Sequence, residues 1–355
     1  MALGRGCFRL QGLRGCRFSE FLHYPTVYVS QLTGHPLSQF FTTAKRSTLS
    51  SAIISKAKRL NAKYEKFLER NFPRFYVIYS TFFRGFRLLF LDFKEVSVIK
   101  HKMAEQGLKY NQLPYREMEK LRQFRRDVIK VIPVVLLSIP PFANYMVFIL
   151  MYFYPRQLLI RHFWTQEQQQ EFTEIYHSMR AQVYPDAVSS LFKAASRVPD
   201  RQLKGQLLHL ASKIQEGMHP EISQLHAVAI LFSRPPLGIR RIDAHQMKIL
   251  SQVMFLTPHL PIFILRRRLW SHIMEIRHLD QALNNLGVHD LSEDELRIAC
   301  HVRGLNSVHL SPAQCKDWLT KWVQLSKKLK DSEASLLLHS MVLLSTNYLN
   351  SRKSK

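Results

Sequence analysis

Three regimes of hydrophobic and polar positions succeed one another along this chain. Over residues 50–70, Ile53, Ala57, Leu60, Tyr64 and Phe67 recur at three- and four-residue steps, with Lys56, Lys58, Arg59, Lys63 and Lys66 between them. That spacing predicts an amphipathic helix, ended at Asn71-Phe72-Pro73. Residues 75–93 are rich in aromatics but carry Arg84 and Arg87 near their middle. Two central arginines make a membrane crossing there costly, at about 2.5–3.5 kcal/mol each. The segment is expected to lie in a membrane interface or to pack on the rest of the protein. Residues 94–130 are charged, and Leu113-Pro114-Tyr115 is expected to start a helix that runs into the apolar residues beyond Lys130.

The second regime, Val131 to Pro155, contains no acidic, basic or histidine side chain. Arg125, Arg126, Asp127 and Lys130 crowd one end, Arg156 and Arg161 the other. As a helix its 25 residues would cover roughly 37 Å, against a bilayer core about 30 Å thick. A single transmembrane helix is the expectation. Pro133, Pro140, Pro141, Asn144 and Pro155 are its kink residues, because proline removes a backbone donor and bends a helix. Pro140-Pro141 could also turn carbonyls toward a cation; a bend is the favoured reading. Ser138 and Asn144 are the only strongly polar groups, whereas proton-coupled carriers generally keep an ionisable one at that depth.

After Pro155 the period is helical again. Thr165 with Gln168 forms a capping-box spacing, Phe172, Ile175, Tyr176, Met179 and Val183 mark one face, and Pro185 is expected to end that helix. Further helices are expected over 186–197, 201–215, 221–232, 241–256 and 261–286, the last stopped by Gly287. Ser292 with Glu295, inside a Leu291–Leu296 staple, starts another. Ser311-Pro312-Ala313-Gln314 repeats that grammar, and a last apolar helix is expected from Ser332 to Leu349. Alternating strand patterns are missing, so the fold class is an all-α membrane protein: one transmembrane helix before a helical domain.

Charge changes this picture at the N-terminus. The net charge is +25, and residues 1–154 hold 25 Lys/Arg against 9 Asp/Glu. Residues 1–46 carry Arg5, Arg9, Arg14, Arg17, Lys45 and Arg46 with Glu20 as the only acid. Without an apolar run after the first arginines, this is the composition of a mitochondrial transit peptide rather than a secretory signal. Cys7, Cys16, Cys300 and Cys315 make no C-x-x-C and no metal-ligand spacing with the 16 histidines; two ordinary buried or half-buried thiols in a reducing compartment are the expectation.

Motifs of catalysis are absent. The sequence has no phosphate-binding glycine loop, no G-x-S-x-G and no H-E-x-x-H. The acidic run Asp290–Glu295 lacks calcium-loop spacing and is explained by capping. No enzyme, cofactor or metal is expected. Arg266, Arg267 and Arg268 are candidate contacts to RNA or lipid phosphates, with a solvated helix face as the plainer alternative.

Several motifs together carry a resemblance. Phe124-Arg-Arg-Asp127, Ile132-Pro133, Ile139-Pro140-Pro141-Phe142 and Phe153-Tyr-Pro155-Arg-Gln-Leu158 resemble the membrane segment of the LETM family. Leu260-Pro261 with Leu265-Arg-Arg-Arg-Leu269, Leu291-Ser-Glu-Asp-Glu-Leu296, Ala299-Cys300, Arg303-Gly304-Leu305, Trp318 to Trp322 and Leu336 to Leu349 resemble its helical domain. The chain is similar to the family's short branch, without the coiled coil and EF-hand extension. The resemblance implies a 14-3-3-like helical domain in the matrix, anchored in the mitochondrial inner membrane. Implied partners are inner-membrane lipids, the mitochondrial ribosome and inner-membrane proteins; an ion path would also call for a homo-oligomer, because one helix cannot enclose it alone. Where the family pattern has an acidic residue after I-P-F, this chain has Asn144, which weakens an ion path.

The expected layout is a transit peptide over 1–46, an amphipathic and charged helical region over 47–130, the span over 131–155 and the ribosome-binding-like domain over 156–355. The expected function is support of mitochondrial structure, translation and respiration through ribosome or membrane-protein docking. The alternatives are a component of a cation/proton exchanger and a cristae-organising scaffold. One count conflicts with the implied topology: residues 111–130 hold six Lys/Arg and 154–174 only two, which by the positive-inside rule puts the N-terminal flank in the matrix.

Overall fold

The computed structural model describes residues 67, 69–71, 73–138 and 154–348. The chain divides into two units, residues 1–86 and 87–355. Of the first, residues 67, 69–71 and 73–86 are helical. The expected transit peptide and most of the 50–70 helix lie outside the described residues.

Eleven α-helices are described, with no strand among the described residues. They are α1 (Pro73–Gln106), α2 (Tyr115–Ser138), α3 (Pro155–Leu158), α4 (Gln166–Ala195), α5 (Arg201–Gln215) and α6 (Ile222–Ala227). Then come α7 (Ala244–Val253), α8 (Ile262–Leu286), α9 (Glu293–Val302), α10 (Pro312–Lys328) and α11 (Ser335–Leu343). The expected helix start at Tyr115 stands, and the helix runs through Pro133 to Ser138. Residues 139–153, with Pro140, Pro141 and Asn144, lie outside the described residues. Among the described residues no helix is long and apolar enough to cross a membrane.

Three caps form as their side-chain spacing dictates. Gln168 N–H donates to Thr165 Oγ1 at 3.2 Å, Glu295 N–H to Ser292 Oγ at 3.3 Å, and Gln314 N–H to Ser311 Oγ at 3.3 Å. Each cap satisfies one of the amides that a helix start leaves without an intrahelical partner. Gly287 ends α8 with φ at +94°, a backbone conformation glycine adopts without strain.

The expected stop at Pro185 is corrected: α4 continues through it to Ala195. Pro185 sits on the solvent face, while Tyr184, Ala187, Val188 and Leu191 are buried beside it. Core packing on both sides holds the helix, and the lost hydrogen bond falls where water can replace it. Other differences are shorter reach. Residues 221–232 divide into α6 and a 3₁₀ turn, Ala229–Ser233, and the last helix covers only Ser335–Leu343.

One core joins the helices of the larger unit. Leu207, Leu225, Met247, Leu269, Ile273, Leu296, Trp318, Trp322 and Leu337 are at most 1% exposed. Leu113, Tyr115 and Met118, which precede the apolar stretch, belong to the same core. α8 packs against α2, α7, α10 and α11, so it runs through the middle of the unit and its outer face is held rigidly.

Candidate docking surface on a basic helix

The placement of α8 results from its apolar stripe. Leu265, Leu269, Ile273, Ile276, Leu279 and Leu283 are buried at three- and four-residue steps. That stripe turns Phe263, Arg267 and Trp270 to the opposite face, at i, i+4 and i+7. Phe263 is 71% exposed and Trp270 37%. Both are larger apolar groups than a free helix face needs, and a cation lies between them.

The three sequence-predicted cations divide. Arg267 and Arg268 are exposed, and Arg266 is half-buried with its Nε covered and unpartnered. None of the three makes an ion pair within 4.0 Å among the described residues. Glu275, further along the same helix, pairs instead with Arg125 of α2. Unpaired guanidiniums between an exposed Phe and Trp can bind phosphate and stack on planar rings, the combination that single-stranded nucleic acid and structured RNA use.

Behind this face lies an interior rich in positive side chains that sequence reasoning did not single out. Arg180 is 5% exposed and has no carboxylate partner. Its Nε donates to Val253 O at 3.0 Å and its Nη1 to His301 O at 2.8 Å, while Phe255 covers its face with the ring centroid at 4.6 Å. Val253 and His301 lie in the last turns of α7 and α9, where carbonyls are unpaired and the helix dipole is negative. Arg180 therefore closes two helix ends. Arg277 does the same for α10, with Nη1 2.9 Å from Lys330 O and Nη2 2.6 Å from Leu329 O.

Beside Arg180, His177 Nε2 and His301 Nδ1 are 3.2 Å apart. Burial, then Arg180, pushes His177 down to about 3, and burial with Arg180 and His177 pushes His301 well below its ordinary value. Both rings are neutral at physiological pH, so this pair adds no charge to the surface. The geometry reads as a packed support under a basic face, its buried arginines tied to helix-end carbonyls and its histidine pair neutral.

Of the predicted kink residues, Pro133 and Pro155 lie among the described residues. Pro133 is an exposed residue inside α2, and Pro155 is the first residue of α3. Cys300 and Cys315 are buried free thiols, with Cys300 Sγ 3.7 Å from Cys315 O. Among the described residues no group of three or more His, Cys, Asp or Glu is placed to hold a metal ion. Asp290–Glu295 serve α9 and α2: Arg116 Nε donates to Glu295 Oε1 at 2.9 Å and its Nη2 to Asp290 O at 3.1 Å.

Comparison with known proteins adds to this geometry. Residues 113–343 match the family described as "LETM1-like, RBD". A Xenopus tropicalis protein named LETM1 domain-containing protein 1 is 60% identical over 312 residues, 88% of this chain and 89% of the relative. The Homo sapiens protein of that name is 49% identical over 305 residues, 86% of this chain and 85% of the relative. A Drosophila melanogaster mitochondrial proton/calcium exchanger protein is 24% identical over 283 residues, which is 77% of this chain but 27% of that longer protein.

Proposed function

The chain belongs to the LETM1-like, RBD family, and from that premise we propose a non-enzymatic protein held at the mitochondrial inner membrane that docks its helical body on the mitochondrial ribosome. The observation that carries this reading is the outer face of α8. Phe263 and Trp270 are exposed on either side of Arg267, and Arg266 and Arg268 flank them without a carboxylate partner. The geometry suits ribosomal RNA: the arginines neutralise phosphates and the aromatic faces stack on unpaired bases. Arg180 and Arg277, tied to helix ends, keep α8 and its neighbours in place, so the face is preorganised for a large partner.

The apolar residues 131–155 anchor the chain, and residues 1–46 direct it to the organelle. The helical body is then concentrated at the membrane, where ribosomes engaged in making inner-membrane proteins also work.

Charge reversal tests the docking. The variant Arg267→Glu/Arg268→Glu changes only exposed side chains and is expected to keep its helical signature. It is expected to lose co-sedimentation with mitochondrial ribosomes that the unaltered chain shows at low salt. Unchanged co-sedimentation at low salt would remove α8 from the interface.

Ion exchange, the property in the Drosophila relative's name, is the competing reading. It has less support, because residues 131–155 offer no acidic, basic or histidine side chain to carry a proton.

A further inference from the structure

The residues just before the apolar stretch and those just after it belong to one packed body. On the leading side, Leu113, Tyr115 and Met118 are 3%, 4% and 0% exposed, in one core with Leu296, Trp318 and Trp322. Surface pairs tie the same segment down: Arg116 to Glu295 at 2.9 Å, and Arg125 to Glu275. Every one of these partners, the core leucine, the two tryptophans and the two glutamates, comes from after the stretch.

Closer to the stretch the two flanks meet directly. Asp127, four residues before it begins, lies 4.0 Å from His162, seven residues after it ends. Lys130, the residue before Val131, has its Nζ 5.5 Å from the centre of the Trp164 ring. α3, which begins at Pro155, packs against α2. A single crossing requires the opposite arrangement, with the two flanks separated by a hydrocarbon core about 30 Å thick. Residues this close together cannot sit on opposite faces of such a layer.

The surface around these contacts has the chemistry of a lipid boundary. Ile129, Ile132 and Leu136 are 63%, 50% and 60% exposed at i, i+3 and i+7 on α2, and Tyr154 is 51% exposed at the other flank. Cations ring the base of this apolar stripe. Arg126 and Lys130 stand at one flank, Arg156 and Arg161 at the other, and none of the four makes an ion pair within 4.0 Å among the described residues. Exposed aliphatic residues next to unpaired cations fit acyl chains and anionic head groups of one leaflet.

We propose that both flanks of residues 131–155 lie on the same side of the membrane, with Arg126, Lys130, Arg156 and Arg161 at the phosphates of one leaflet. The inference rests on the membrane anchoring proposed as part of the function and changes its topology. It also removes the charge conflict in the sequence. The basic segment 111–130 and the helical body are on one side, and the positive-inside count no longer opposes the two.

Cysteine accessibility tests this in the full chain within mitochondria. On a background in which Cys7 and Cys16 are changed to serine and Cys300 and Cys315 are buried, Ala104→Cys and Gln170→Cys place single exposed thiols before and after the stretch. A membrane-impermeant polyethylene-glycol maleimide is added to mitoplasts with the inner membrane intact, and again after detergent. The two positions are expected to behave alike, both labelled or both protected until detergent is added. Lys109→Cys and Gln166→Cys form a second pair should either first variant accumulate poorly. Alkaline carbonate extraction of the same samples separates the two claims. A carbonate-resistant chain with one position labelled and the other protected overturns the one-sided topology and leaves the anchor standing. Release of the chain by carbonate overturns the anchor and this inference with it.

Discussion

Arg303 and Asp280 form an ion pair inside the helical core, with Nε and Nη2 of the arginine each 2.7 Å from Oδ1 of the aspartate. The residues are 1% and 2% exposed. Trp322 Nε1 donates to the other carboxylate oxygen at 3.0 Å, and Arg303 Nη1 donates to Ala299 O at 2.8 Å. The pair thus joins α8, α9 and α10. Asp280→Asn keeps the shape but leaves a buried guanidinium uncompensated, which is expected to cost about 3–5 kcal/mol. Chemical denaturation checks it, and a loss below about 1 kcal/mol would show that the charge is not held there. The double variant Asp280→Asn/Arg303→Met is expected to recover part of the loss, because it removes the stranded charge.

Gly304 comes directly after that arginine with φ at +104°. A Cβ there would stand 2.9 Å from the backbone oxygen of Met341. Gly304→Ala therefore combines a strained backbone with a clash against α11 and is expected to lower stability by at least about 1–3 kcal/mol. Thermal unfolding of the variant would contradict this if its midpoint were unchanged.

Three histidines give stability a sign with pH. His177 and His301 are pushed down by burial beside Arg180, and burial pushes His339 down to about 4. His339 Nδ1 lies 2.9 Å from Ser335 O and its Nε2 3.0 Å from the Gln246 amide nitrogen. Nδ1–H donates to the carbonyl, so Nε2 accepts, and a second proton would face a donor. Each folded pKa lies below the unfolded value near 6.5. Stability is full above that value and is lost as pH falls through it, by about 1.4 kcal/mol per histidine between pH 7.5 and 5.5. Urea midpoints at those two pH values check this. His339→Gln is expected to show a smaller difference between them than the unaltered chain.

Caps carry a smaller, separable contribution. Ser311 begins α10, where Pro312 already fixes the first helical dihedral. Ser311→Ala is expected to cost about 1 kcal/mol, measured by denaturation, with ribosome co-sedimentation unaffected. Loss of co-sedimentation in a variant that stable would tie α10, rather than α8, to the partner.

The cap residues show what could be read from sequence. Thr165, Ser292 and Ser311 act on amides three residues away, so their chemistry is written locally. Gly287 and the stripe of α8 are local in the same sense. Pro185 misled because its effect was decided by Tyr184, Ala187 and Leu191 packing on either side, contacts that no spacing reveals. Met118 and Tyr115 show the same limit: their periodicity fits a surface helix as well as a core one. For the candidate face, the triplet Arg266–Arg268 was visible in the sequence. Its division was not, because only the burial of Leu265 and Leu269 decides that the face Arg267 shares with Phe263 and Trp270 is the outer one. Arg180 and Arg277 gave no signal, since an arginine that closes a helix end looks in sequence like any solvated one.

Docking through the outer face of α8 is tested most directly by a photoreactive benzoylphenylalanine in place of Phe263, activated in intact mitochondria. The predicted result is covalent adducts with ribosomal RNA or ribosomal proteins, lost when Arg267→Glu/Arg268→Glu is combined with the probe. Adducts confined to lipids or membrane proteins, or ribosomal adducts that survive the charge reversal, would contradict it.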